Sequence, residues 1–144
     1  MPMYEVHYVN CPECGAKGQF GIWGTINAQK DTEAKKQLLD GELHVFHCPS
    51  CDRNSRFEVG GMLYHDIEQD YTVVVFLPDD FDDPAFLDEF SKDGTLITKF
   101  EGEFAARKNR LASEGLKHPR YVFSLNELAT YVKFRDKLFA HQKA

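Results

Sequence analysis

The sequence predicts an α+β fold: a small antiparallel sheet with a zinc-ribbon-like four-cysteine metal centre, followed by C-terminal helices. Three observations predict it. All four cysteines of the 144-residue chain fall in two copies of Cys-Pro-Xaa-Cys, "CPEC" at 11–14 and "CPSC" at 48–51. The stretches around them, such as "YEVHYV", "LHVFHC" and "YTVVVFLP", are short and rich in β-branched and aromatic residues, as strands are. After Pro78 the apolar residues recur at helical spacing.

"YEVHYV" alternates, so Tyr4–Val9 is expected to be a strand running into the first cysteine turn, and "GQFGIWGTI" leads out of that turn as another. "NAQKDTEAKKQLLDGEL" has a helical pattern: Asp31 or Thr32 can cap its start, Leu38 and Leu39 supply an apolar contact, and Gly41 ends it. "LHVFHC" returns as a strand to the second turn. "SRFEVGGMLYHD" and "YTVVVFLP" read as two further strands separated by the polar turn "IEQD". Beyond Pro78, "DDPAFLDEFSKDG" carries a proline suited to a first helical turn, and "TLITKFEGEFAARKNRLASEG" places Ile97, Phe100, Phe104 and Leu111 on one helical face. "SLNELATYVKFRDKLFAHQ" opens with a capping box from Ser124 to Glu127. Its inner stripe continues through Leu128, Tyr131, Val132, Arg135, Leu138 and Phe139.

Length and composition bound the protein class. A chain this long fits one domain, residues 1–144, with a sheet part at about 1–78 and a helical part at about 79–144. The 42% hydrophobic share and 13% aromatic share exclude a disordered or collagen-like chain. The longest apolar run, "VVVFL", is far too short to cross a bilayer, and "MPMYEVHYVN" lacks the basic start and apolar stretch of an export signal. A cytoplasmic protein without a membrane partner is expected. In that reducing compartment, paired cysteines bind metal or do catalysis more often than they form disulfides.

The spacing decides between those two. Cys-Pro-Xaa-Cys lets a tight turn aim two sulfurs at one point while backbone N–H groups donate to them. Pro12 and Pro49 fix one backbone angle, and Gly15 can take the left-handed conformation that such a turn needs. Asp52 stands where the second turn would have its glycine, and Asp visits the left-handed region more readily than most residues. Two such knuckles give four thiolates, the ligand set of a closed tetrahedral zinc site. Cys11, Cys14, Cys48 and Cys51 are therefore the expected ligands, and zinc the expected structural cofactor. The connecting segment of about 33 residues costs about 3 kcal/mol to close, against about 10–16 kcal/mol of apparent zinc binding in small peptides. Three alternatives rank behind zinc: iron in a rubredoxin-like site, thioredoxin-type redox chemistry, and His47 replacing one sulfur.

Other polar groups offer weaker chemistry. His65 and Asp66 are neighbours in a predicted strand, so they face opposite sides and should not form a base and orienter pair. Asp79, Asp80, Asp82 and Asp83 lack the glycine and distal glutamate of a calcium loop and read as a solvated acidic turn. Net charge is −6, which argues against a general nucleic-acid binder, but from Thr95 onward Lys and Arg outnumber Asp and Glu about two to one. Arg107, Lys108, Arg110, Lys117, Arg120, Lys133, Arg135 and Lys137 carry that excess.

Across "CPECG", "TINAQKDTEAKKQLLDGELHVFHCPSC", "MLYHDIEQDYTVVVFLP" and "YVFSLNELATYVKFRDKL", nearly the whole chain resembles the CpXC family of bacterial and archaeal proteins. Asp52 departs from the glycine usual there. The resemblance implies a single domain with a zinc-ribbon-like metal centre, with the ligand role on Cys11, Cys14, Cys48 and Cys51, and it implies no particular activity. A closed metal site and an aromatic-rich surface then point to a non-enzymatic binding or adaptor domain with a protein partner. The alternative is a regulatory nucleic-acid-binding protein that uses the ribbon and the basic C-terminal half. A lesser alternative is an enzyme with a dispersed polar site around Tyr64, His65 and Arg120. The sequence sets no oligomeric state.

Overall fold

Gly24 divides what reads as one strand into two that serve different sheets. The computed structural model describes residues 4–96 and 118–143. Strands β1 (Tyr4–Asn10) and β2 (Lys17–Trp23) form an antiparallel hairpin across the first cysteine turn, with Tyr4 opposite Trp23 and Asn10 opposite Lys17. After Gly24 the chain leaves that hairpin, and β3 (Thr25–Asn27) joins the edge of a larger sheet. Strands β4 (Val45–His47) and β5 (Asn54–Arg56) form a second short hairpin across the second cysteine turn. The larger sheet has the order β3, β6 (Met62–Asp66), β7 (Tyr71–Val75), β8 (Arg120–Val122).

The architecture is α+β with small antiparallel pairings, as expected, and the four-stranded sheet adds parallel pairs at both edges. β6 and β7 are antiparallel, joined by the polar turn at 67–70, whereas β3 runs parallel to β6 and β8 parallel to β7. Each parallel edge needs a long crossover, which is why these partners are far apart in sequence. The segment "SRFEVGGMLYHD" also divides, its first part pairing with β4 and its second forming β6.

One face of the larger sheet carries the main core. Strand alternation places Ile26, Tyr64, Val73 and Val75 toward helices α1 (Thr32–Asp40) and α3 (Leu125–Lys143), where they pack with Leu38, Leu125, Leu128 and Val132. All eight side chains are fully buried. On α3 the expected stripe holds over its first half, through Leu128 and Val132, and then opens: Leu138 is exposed. A polar network joins the two helices to the β6–β7 turn. Asp66 accepts from Gln29 and Gln69, Gln69 donates to Asp136, and Asp136 pairs with Lys35 at 3.0 Å.

The helix ends differ in detail from the sequence reading. Gly41 closes α1 with φ of 77° as expected, but the Asp31 carboxylate, at the N-cap, accepts from the Asn27 N–H at 2.9 Å instead of from its own helix. Ser124 caps α3 by accepting from the Glu127 N–H, and Glu58 accepts from the Leu125 N–H. The helix expected in "DDPAFLDEFSKDG" is reduced to a 3-10 turn (Pro78–Asp82) and the single-turn α2 (Pro84–Leu87). Two constraints shorten it. Asp83 restarts the chain as a new N-cap, and a bridge from Phe90 to Leu96 turns it back. Phe76, Phe86, Phe90 and Tyr121 pack edge-on or tilted around this turn, with ring centroids 4.8–6.0 Å apart. The helix expected over Ile97, Phe100, Phe104 and Leu111 lies outside the described residues, as do Arg107, Lys108, Arg110 and Lys117.

His44 joins the two halves of this construction. It sits in the left-handed region, φ 58°, a conformation that costs a side-chain-bearing residue about 1–2 kcal/mol. Its Nε2 accepts from the Trp23 backbone N–H at 2.9 Å, and its carbonyl accepts from the Phe57 N–H. Burial, with help from the nearby Arg56 charge, lowers its pKa from 6.5 to about 4. The ring is therefore neutral at pH 7, with its proton on Nδ1.

Two outcomes follow from this packing. Leu128→Ala, at a fully buried site, should lower unfolding free energy by about 2–5 kcal/mol in urea titrations, whereas a loss below 1 kcal/mol would contradict the core described here. Because its folded pKa is depressed, neutral His44 contributes stability fully above about pH 6.5 and loses it as pH falls toward about 4. NMR titration of the ring nitrogens should show His44 still neutral at pH 5.5; a midpoint near 6.5 would refute the assignment.

Candidate metal centre

The two knuckles share one backbone pattern. The Cys11 N–H donates to the Ala16 carbonyl and the Gly15 N–H to the Cys11 carbonyl; in the second knuckle the Cys48 N–H donates to Arg53 and the Asp52 N–H to Cys48, all at 2.8–2.9 Å. Gly15 has φ of 77° and Asp52 62°. Asp52 thus adopts the backbone conformation of the glycine it replaces. Its carboxylate is held by His47, whose Nε2 lies 2.9 Å away, while the His47 Nδ1 meets the Asn54 side-chain oxygen at 2.7 Å. Both ring nitrogens of His47 are engaged, and these contacts, the Asn54 bond first, raise its pKa.

Both hairpins point their knuckles at a common centre. The four Sγ atoms lie within 4.8 Å of one another and could hold a metal ion. Between knuckles, the Cys11 and Cys51 sulfurs lie 3.7 Å apart and those of Cys14 and Cys48 3.5 Å apart. A disulfide needs about 2.05 Å, and all four cysteines are free. A tetrahedral site with metal–sulfur bonds of about 2.3 Å has sulfur–sulfur edges of about 3.8 Å, so the cross-knuckle separations suit that geometry. Arg53 and Glu13 add an ion pair between knuckles at 2.8 Å, too exposed to contribute much.

The centre has a buried side and an open one. Cys11 and Cys48 are buried against Phe46, with Phe20 and Phe57 packed alongside, whereas Cys14 is exposed. Ring centroids of the three phenylalanines stand 4.9–6.3 Å apart, forming an apolar platform under the sulfurs. Backbone donors act on the sulfurs from the turns themselves. The Glu13 N–H points at Cys11 Sγ at 3.4 Å. Hydrogen bonds from the Cys51 and Ser50 N–H groups, against the penalty of burial, lower the Cys48 thiol to about 6. At Cys51 the Arg53 N–H favours the thiolate, but burial and the neighbouring sulfurs outweigh it and raise that thiol to about 12. One thiolate forms readily, and its charge makes the next harder to form, as in any cluster of like charges awaiting a cation.

The remaining sequence candidates are placed elsewhere. His65 donates or accepts at Thr72 Oγ1, 2.7 Å away, while Asp66 faces the opposite side among Gln29 and Gln69, so no dyad forms. Tyr64 and Arg120 lie in one cross-strand row with Val73 between them, Tyr64 fully buried and Arg120 over the Tyr131 ring; His65 is on the other face. The three do not converge. In the acidic turn, Asp80 accepts from the Leu77 N–H and Asp83 from the Ala85 N–H, which gives two of the four a capping role. Sequence reasoning missed His44. Its neighbours Leu43 and Val45 make it look like an ordinary strand residue, and nothing local signals its positive φ.

Among the described residues, no helix is long and apolar enough to cross a membrane. No curated protein and no solved structure matches the chain. A family model described as CpXC protein matches residues 9–143, so the chain belongs to the CpXC family.

Proposed function

We propose that Cys11, Cys14, Cys48 and Cys51 hold one structural zinc ion, and that the protein is a non-enzymatic docking domain whose partner is another protein. The observation that carries this reading is the convergence of four sulfurs from two knuckles, at cross-knuckle separations of 3.5–3.7 Å, over a platform of three phenylalanines. Four protein thiolates complete a tetrahedral shell and leave no position for water or substrate, so an ion bound here supports the fold. Free thiols in paired knuckles fit a reducing compartment such as the cytoplasm.

The protein partner is favoured over nucleic acid by the net charge of −6 and by what three of the described arginines already do. Arg135 stacks over Tyr71 at 4.2 Å and donates to the Tyr131 hydroxyl and the Gln69 carbonyl. Arg56 donates to Asn126 and Gly41, and Arg53 pairs with Glu13. These guanidinium groups serve internal contacts, and phosphate binding would have to break them.

Protein purified without added metal should contain about one zinc per chain, with its thiols protected from titration until a chelator is added. Cys48→Ser should lose the metal and cooperative unfolding together, because metal binding of about 10–16 kcal/mol in small peptides rivals the whole stability of a domain, about 5–15 kcal/mol. A metal-free protein with unchanged melting would sink this reading, and iron in place of zinc would show a visible thiolate absorption. For the partner, binding to duplex DNA and single-stranded RNA measured across a salt series should stay undetectable; affinity that falls steeply with salt would favour the nucleic-acid alternative.

A further inference from the structure

A cavity of about 330 Å³ opens where the β1–β2 hairpin, α1 and the turn before β4 meet. Tyr4, Phe20 and Trp23 form its aromatic wall, and Glu33, Glu42 and His44 supply its polar lining. The Tyr4 and Trp23 rings are tilted by 57° with centroids 4.9 Å apart. Gly21 allows this arrangement: a side chain there would collide with the Tyr4 hydroxyl. Among the described residues, no hydrogen bond or ion pair engages the carboxylate of Glu33 or Glu42.

His44 supplies the second observation. Only 4% exposed, it accepts through Nε2 from Trp23, so its proton sits on Nδ1, and that Nδ1 has no partner. A buried donor without an acceptor costs about 1–3 kcal/mol in other proteins. Being neutral, the ring does not repel a cation.

We propose that this cavity receives an arginine or lysine side chain from an extended segment of a protein partner. This assignment deepens the docking reading above and rests on it. Two carboxylates without partners beside aromatic faces form a site for an organic cation, with the guanidinium plane suited both to ring stacking and to a carboxylate fork. The size fits one side chain, at the lower end of the usual range of ligand pockets. Continuing from Tyr4, the same face of β1 exposes Val6 and Tyr8, with Tyr4, Val6 and Tyr8 at 50%, 58% and 79% exposure. Their spacing of two residues matches the alternating side chains of an extended partner.

The test uses the metal-loaded full chain. N-acetyl-arginine amide and its neutral citrulline counterpart are titrated while the Gly21 amide and Trp23 indole signals are followed by NMR. Arginine should give saturable shifts with citrulline at least about tenfold weaker, and Glu33→Gln/Glu42→Gln should erase the difference. Both glutamates are exposed, so the double variant should keep its unfolding midpoint. Equal responses to the two compounds, or none, overturn the assignment. In a second arm, a displayed random-peptide library is selected on the protein. Binders rich in Arg or Lys beside apolar residues, weakened at least about tenfold by the double variant, support it. Binders that lack a basic residue or ignore the double variant overturn the cavity assignment and leave the docking reading standing. A library that yields no binder counts against the docking reading itself, and the arginine titration then decides the cavity alone.

Discussion

Four sulfurs brought to one point are the constraint on which the rest of this structure depends. The two knuckles stand at the tips of two separate two-stranded sheets, β1–β2 and β4–β5, and a two-stranded ribbon is marginally stable in water on its own. What joins them is the cysteine cluster and the phenylalanine platform beneath it. Between the knuckles in sequence lie β2, β3 and α1, so joining Cys14 to Cys48 also closes the loop that delivers β3 and α1 to the larger sheet. A cation that satisfies four thiolates therefore acts on the whole N-terminal half. Like-charged thiolates this close also oppose one another's ionisation.

The second joint is polar and lies away from the sulfurs. Arg56, at the end of β5, reaches both the C-terminal cap of α1 at Gly41 and Asn126 in the first turn of α3. His44 ties the turn after α1 to β2. The metal hairpins are thus linked to the helices through directional contacts as well as through burial, and these fix their relative orientation more sharply than apolar packing alone. Arg135 does similar work at the far end, lying over Tyr71 and donating to the turn carbonyl of Gln69. The charge excess of the C-terminal half is in this respect partly internal wiring.

How much of this was legible in the sequence follows from how local each signal is. The knuckles were legible because a four-residue spacing and a left-handed position determine their geometry, and even Asp52 could be read through its tolerance for positive φ. The strands β6 and β7 and the turn between them were legible from alternation and turn chemistry. Strand partners were not. That β3 pairs in parallel with β6, and β8 with β7, depends on crossovers whose ends lie far apart in sequence. The break at Gly24 was hidden for the same reason: "GQFGIWGTI" has one continuous pattern, and only the competition between two sheets divides it. The helix expected in "DDPAFLDEFSKDG" was overread because Phe86 and Phe90 pack in an aromatic cluster with Phe76 and Tyr121, which a proline at a first helical turn does not reveal.

The exposed face of β1 runs against the usual management of sheet edges. Natural proteins blunt a short exposed ribbon with charge, proline or a covering element, because an apolar unpaired strand invites association. Here Glu5 and His7 occupy the intervening positions of β1, whose side chains point to the opposite face, and Tyr4, Val6 and Tyr8 are left uncovered among the described residues. Their neighbours on β2, Gln19 and Gly21, shield little, and Gly21 brings Tyr4 closer to the backbone. A hairpin anchored at one end by the cysteine cluster can hold such a strip in one conformation before any contact is made. Ordering costs of about 0.5–1.5 kcal/mol per immobilised side chain are then met on folding and not on association. The cysteine cluster and the aromatic strip thus occupy one hairpin, the cluster at its turn and the strip along its open face.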